Sequence, residues 1–196
     1  MKSVKCAFFD FDNTIAKGDT IKKHPLTIVR FLLTILYGIG YILHFVSKEK
    51  LKETILFPLD LFNSEELKTF YQEKVIPSYY PHMVQELQKR KDEGYLVFLV
   101  TASSEAYMRF NELPIDILMG TQTEIIDGEY TSHGKNCKDA HKVERINAYL
   151  EKNNLSIDYE HSYGYSDSTS DIPMLKLVKN RVRISKKDGS MSPFVF

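Results

Sequence analysis

Short apolar runs that stop at polar residues alternate along most of this chain with stretches whose apolar residues recur at helical spacing. The run from Val4 to Phe9 is halted by Asp10, as expected of a buried parallel strand entering a polar loop. The run from Tyr95 to Val100 is halted by Thr101, Ala102, Ser103 and Ser104. Before it, Pro81 and Gly94 bracket a predicted helix carrying Met83, Val84 and Leu87 on one face. Further strands are predicted at Ile115 to Met119, His161 to Ser166 and Arg181 to Ser185. Helices are predicted near Glu105 to Leu113, Asp139 to Lys152 and Ser170 to Val178, and a hairpin at Thr123 to Ser132 turning at Asp127-Gly128. Such alternation predicts an α/β fold, a Rossmann-like open and mostly parallel sheet, which places ligands beyond the carboxyl ends of its strands.

Between Lys17 and Ser78 the pattern is helical only, so the chain divides into a core of residues 1–16 and 79–196 and an inserted all-helical segment of residues 17–78. Asn63, with Glu66 three residues on, is a variant capping box. Another helix is expected from Pro25 to Tyr37, broken at Gly38-Ile39-Gly40 before a second apolar stretch from Tyr41 to Val46.

Composition narrows the function. With 26 Lys and Arg against 26 Asp and Glu, the chain has no net field to hold a polyanion, and nucleic-acid binding by bulk charge is disfavoured. Any phosphate chemistry must be local. Two cysteines, Cys6 and Cys137, are too few for a disulfide framework, and the N-terminal residues lack the pattern of a signal peptide. A reducing, cytoplasmic setting is the expectation.

Asp10 and Asp12 stand two apart where the first strand ends, with Thr14 beyond them. Adjacent carboxylates repel unless a hard cation such as Mg²⁺ lies between them; a solvated loop is the competing reading. Asp167 and Asp171 form a second pair, after the run Tyr163 to Ser166. Helix capping explains one of these and not both. Thr101 adds a hydroxyl at a third strand end, and Ala102 and Ser103 add backbone N–H groups.

This constellation resembles the haloacid dehalogenase-like superfamily of phosphohydrolases, in motif order and over nearly the whole chain. The resemblance implies Asp10 as nucleophile, Asp12 as general acid and base, and Thr101 as a phosphate ligand. It further implies Mg²⁺ on Asp10, Asp167 and the backbone carbonyl of Asp12, supported by Asp171. An acid at position 12 favours phosphate esters over carbon–halogen bonds. The family's Lys has three candidates, Lys135, Lys138 and Lys142; Lys142 is preferred because it falls in the first turn of a helix after the hairpin, as in the phosphoserine-phosphatase-like branch, and Lys135 is the runner-up. In that branch the helical insertion is a cap over the site. Asp19 stands where phosphoserine phosphatases carry a substrate-contacting Glu, though capping of the first cap helix explains it equally well.

One segment stands apart. From Pro25 to Ser47, 15 of 23 residues are apolar and Arg30 is the only formal charge. A single membrane crossing is excluded topologically, since Asp10 before it and Asp167 after it must share one site. Cap core is the first reading, followed by peripheral membrane contact through residues 25–47 beside Lys22, Lys23, Lys48, Lys50 and Lys52, and by an interface in a homodimer. The substrate expected is therefore a phosphorylated small molecule or a lipid phosphate, and a non-catalytic phosphate-sensing or membrane-surface module is the alternative from another class.

Overall fold

The computed structural model describes residues 1–23, 35–46, 63–122, 124–126, 129–131 and 136–196. The first apolar run divides at Lys5: β1 (Lys2–Val4) pairs in parallel with β7 (Leu155–Ile157), and β2 (Cys6–Phe9) enters the main sheet. That sheet has six strands in the order β10-β9-β8-β2-β3-β4, built from β3 (Leu96–Ser104), β4 (Ile117–Thr121), β8 (Tyr163–Ser166), β9 (Asn180–Ile184) and β10 (Met191–Pro193). All neighbours are parallel except β10, which runs antiparallel to β9 at one edge. The hairpin of β5 (Glu124–Ile126) and β6 (Glu129–Thr131) forms as expected, its turn residues lying outside the described set.

Because successive strand side chains point to opposite faces, β2 feeds two cores. Ala7 and Phe9 pack with Leu99, Tyr165 and Tyr107 and with Met83 and Leu87 of α3 (Pro81–Asp92). Cys6 and Phe8 pack with Phe98, with Ile146 and Leu150 of α5 (Ala140–Lys152), and with Met174 and Leu175 of α6 (Ile172–Leu175). Burial on both faces explains why these strands read as unbroken apolar runs. Gly164 in β8 is fixed by this packing, since a Cβ there would meet Leu175 Cδ2 at 2.8 Å. Cys6 and Cys137 are buried free thiols.

Two predicted helices are cut short. The one beginning at Glu105 stops as α4 (Glu105–Met108), because Asn111 turns the chain: its Nδ2 donates to Met108 O at 2.7 Å and its Oδ1 accepts from Leu113 N–H, with Pro114 next. The one near Ser170 becomes a 3₁₀ turn, Thr169–Asp171, followed by the single turn of α6.

The ends of segment 17–78 lie side by side. Lys17 N–H donates to Ser78 O and Tyr80 N–H to Ile15 O, both at 2.8 Å. The reciprocal capping box forms at α2 (Ser64–Phe70), where Asn63 Oδ1 accepts from Glu66 N–H at 2.9 Å. Leu67 and Phe70, with Tyr71 and Val75 in the π-helical turn that follows, join the cluster of Phe11 and Tyr107. Residues 35–42 form a helix, α1, which runs through Gly38 and Gly40 where a break was expected. The helix expected from Pro25 lies outside the described residues as far as residue 34. The cap-core expectation also fails for residues 35–46, none of which is buried.

Candidate active site

First the backbone. β2 lies between β8 and β3, so the chain leaves β2 where the strand order divides, the place at which open α/β sheets form a crevice. Asp10 N–H still pairs with Tyr165 O at 3.0 Å, and the chain then folds into a tight loop in which Phe11 O accepts from Thr14, Ile15 and Ala16. Asn13 takes a left-handed conformation (φ 59°), which Asn tolerates better than most residues. The loop thereby brings Asp10, Asp12 and Thr14 to the crevice rather than out into solvent.

Lys142, in the first turn of α5 and 2% exposed, ties the strand ends together. Its Nζ lies 2.7 Å from Asp10 Oδ1 and 2.8 Å from Asp171 Oδ1. Thr14 Oγ1 donates to Asp10 Oδ2 at 3.3 Å and accepts from Asp167 N–H at 3.1 Å, so one hydroxyl links the two acidic motifs. Burial pushes the Asp10 carboxyl up to about 7, with Lys142 pulling the other way. Burial alone would lower Lys142, but the two carboxylates outweigh it and hold the ammonium firmly charged.

Asp12 is held by three donors. Thr20 N–H and Thr20 Oγ1 both donate to Asp12 Oδ1 at 2.8 Å, and Ser103 Oγ donates to Asp12 Oδ2 at 2.7 Å. Tyr107 OH lies 3.2 Å from Thr20 Oγ1. Burial raises the Asp12 carboxyl and these bonds oppose the rise, a balance that suits a group required to carry a proton and then release it.

Asp10, Asp12, Asp19, Thr101, Lys142 and Asp167 line one cavity of about 320 Å³. Ala102 and Lys138 line it as well, and Lys135 lies outside the described residues. Two expectations change in detail. Ser103 N–H, expected to face an anion, instead donates to Thr101 Oγ1 at 3.0 Å, and it is the Ser103 hydroxyl that reaches Asp12. Thr101 Oγ1 accepts that bond, and a hydroxyl that accepts one bond retains a proton to donate. Asp171, expected as support for the metal, has Oδ1 on Lys142 and accepts from Ser166 Oγ at 2.7 Å with Oδ2, so it holds Lys142. Ser168 and Ser170, neighbours at 2.9 Å between hydroxyls, also face the cavity. Sequence reasoning missed Thr20, Tyr107 and Ser166, whose hydroxyls contact Asp12, Thr20 and Asp171 respectively; a hydroxyl contacting a residue eight positions away leaves no trace in motif spacing.

The donor set fits a hard cation. Asp10 and Asp167 are 8% and 6% exposed, and Asp167 has one cationic partner among the described residues, the exposed Lys186 at 3.1 Å. Among the described residues no three His, Cys, Asp or Glu side chains converge on a metal position. Two carboxylates and a backbone carbonyl, completed by water and substrate oxygen, is the pattern of Mg²⁺.

The fold and the crevice define an α/β protein with an acidic site at its strand ends. The family model described as haloacid dehalogenase-like hydrolase matches residues 7–176, and the chain belongs to that family. A histidinol-phosphatase from Neisseria meningitidis serogroup C (strain 8013) is 30% identical over 146 residues, covering 66% of this chain and 63% of that protein, so the match takes in less than two thirds of the relative. Among solved structures, a protein of unknown function from Bordetella pertussis Tohama I superposes with a TM-score of 0.70 at 24% identity, covering 93% of this chain and 91% of its own. A phosphoserine phosphatase carrying an analogue of the phospho-aspartyl intermediate superposes with a TM-score of 0.63 at 17% identity, covering 93% and 87%. At these identities the two structures speak for the fold. No helix among the described residues is long and apolar enough to cross a membrane.

Proposed function

We propose that the chain is a Mg²⁺-dependent phosphatase that hydrolyses a small phosphate monoester through an aspartyl-phosphate on Asp10, with residues 17–78 as the cap that selects the leaving group. The observation that carries this reading is the position of Lys142 Nζ, 2.7 Å from Asp10 Oδ1 inside the cavity that also holds Asp12 and Thr101. A phosphate monoester brings about two negative charges to an anionic nucleophile, so the approach requires cationic and N–H or O–H groups around the phosphoryl oxygens. On this reading Lys142 and the Thr101 hydroxyl provide them, which their position along the cavity wall supports. Asp10, Asp167 and the Asp12 carbonyl would hold Mg²⁺, which would supply the remaining charge neutralisation.

In the first step Asp10 Oδ bonds to phosphorus as the ester P–O bond breaks, and Asp12 gives its proton to the leaving oxygen. In the second, Asp12 takes a proton from water, which attacks the acyl phosphate and frees Asp10. The Neisseria relative is named a histidinol-phosphatase, which supports trying a small phosphate monoester first.

The test is hydrolysis of graded aryl and alkyl phosphates. Activity is expected to require Mg²⁺, to vanish with chelator, and to fall by roughly four orders of magnitude or more in Asp10→Asn. Persistent turnover in that variant removes the nucleophile. A wild-type chain that binds inorganic phosphate yet turns over no ester is a phosphate-sensing module instead.

A further inference from the structure

Of the twelve large apolar residues that stand exposed among the described residues, seven fall between Ile35 and Phe45. Leu36 is 63% exposed, Ile42 74% and Phe45 85%. Residues 35–46 hold no Asp, Glu, Lys or Arg, so α1 has no charged face to turn toward water. An apolar helix without a polar side belongs in a core or in lipid, and none of residues 35–46 is buried in a core.

The tip is also a built structure. His44 takes the left-handed conformation (φ 61°), Phe45 N–H donates to Gly40 O at 2.8 Å and His44 N–H to Tyr41 O at 3.0 Å, which is a Schellman ending. Leu43 N–H pairs with Ile39 O at 2.9 Å and Val46 N–H with Gly40 O at 3.2 Å. A Cβ on Gly40 would meet Val46 Cγ2 at 2.7 Å, so the Val46 side chain packs where a larger residue at position 40 would displace it. Every N–H from 43 to 46 is therefore satisfied within the turn, the condition for leaving water without a penalty for unpaired donors.

Charge selects the occupant. Residues 17–53 carry seven Lys and Arg against three Asp and Glu, a net +4, although the whole chain sums to zero. We infer that residues 35–46 seat the chain on the surface of an anionic lipid bilayer, the apolar tip entering the interface and the net positive charge of residues 17–53 favouring an anionic surface. A side chain as exposed as Phe45 projects clear of its neighbours, and fluid lipid closes around such a tip, whereas a rigid partner would need a matching socket. This inference stands whether or not the crevice is catalytic.

The chain contains no Trp, so Phe45→Trp makes a sole reporter. With vesicles of phosphatidylcholine and phosphatidylglycerol its emission is expected to shift to the blue, and the unaltered chain is expected to float with these vesicles, less so in high salt and weakly with phosphatidylcholine alone. Ile42→Asp with Phe45→Asp should lower partitioning about a hundredfold, with the urea unfolding midpoint little changed because both side chains are exposed. Absence of flotation by the unaltered chain, or undiminished flotation of the double variant, overturns the proposal. So does a concentration-dependent dimer that the same double variant disperses while vesicles are ignored, since the tip then covers a second copy.

Discussion

In the crevice at the strand ends Asp10, Lys142, Asp167 and Asp171 are each less than a tenth exposed, whereas at the tip of residues 35–46 Leu36, Ile42 and Phe45 are each more than six-tenths exposed. Ordinary folded surfaces arrange these residue types the other way round, and buried charge and exposed apolar patches are the two departures that carry information. The departures differ in kind. Buried charge is expensive unless paired, and the crevice is paired in detail through Lys142, Thr14 and Ser166. Exposed apolar surface needs no such network, and among the described residues the tip is closed by its own backbone hydrogen bonds. Removing one member should therefore damage the crevice severely and the tip hardly at all.

The largest effect is expected from Lys142→Met. It leaves Asp10 and Asp171 facing each other without a cation, at a cost of about 3–5 kcal/mol of stability, and removes the proposed phosphoryl ligand, so turnover should be lost as well. Urea unfolding and steady-state kinetics read the two losses separately. A variant with unaltered stability would mean that the crevice is not held by this pair.

Thr20→Val comes next. It removes one of the three donors to Asp12 and keeps the volume and the backbone bond. The expected cost is about tenfold in kcat for an alkyl phosphate, whose leaving oxygen needs the Asp12 proton, and less for an aryl phosphate, whose leaving group departs without one. Thr20→Ser should restore the rate. Equal losses on both substrates would make Thr20 a packing residue and nothing more.

The crevice was legible in sequence to the extent that apolar runs ending at acids reveal strand ends. Asp10, Asp12, Thr101 and Asp167 are all reached in this way, and all line the cavity. What periodicity does not encode is which atom of a residue faces inward. Ser103 serves through its hydroxyl and not its N–H, and Asp171 turns both oxygens to protein partners, because these choices are made by contacts between residues far apart in the chain. Helix ends were misjudged at Glu105 to Leu113 for a local reason, the side-chain turn at Asn111 just before Pro114. At Gly38 and Gly40 the error ran the other way: glycine lowers helix propensity without forbidding a helix, and α1 continues to a proper ending at His44. The apolar character of this segment was plain, but composition does not say whether an apolar surface is covered.

The smallest effect belongs to the tip and completes the contrast. Substituting Phe45 by Ser should change the free energy of unfolding by no more than about 0.5 kcal/mol, because a side chain 85% exposed in the folded chain gains little from folding. Phe9→Ala, in a side chain fully buried and stacked on Tyr165 with ring centroids 4.1 Å apart, should cost about 3–5 kcal/mol in the same assay. Urea midpoints of the two variants measured side by side decide the matter. If Phe45→Ser shifts the midpoint as far as Phe9→Ala does, the tip is packed against the rest of the chain in solution, and its difference from the crevice disappears. If it does not, the conformation of residues 35–46 is held by the Gly40 and His44 turn, and their side chains remain available for contacts outside the chain.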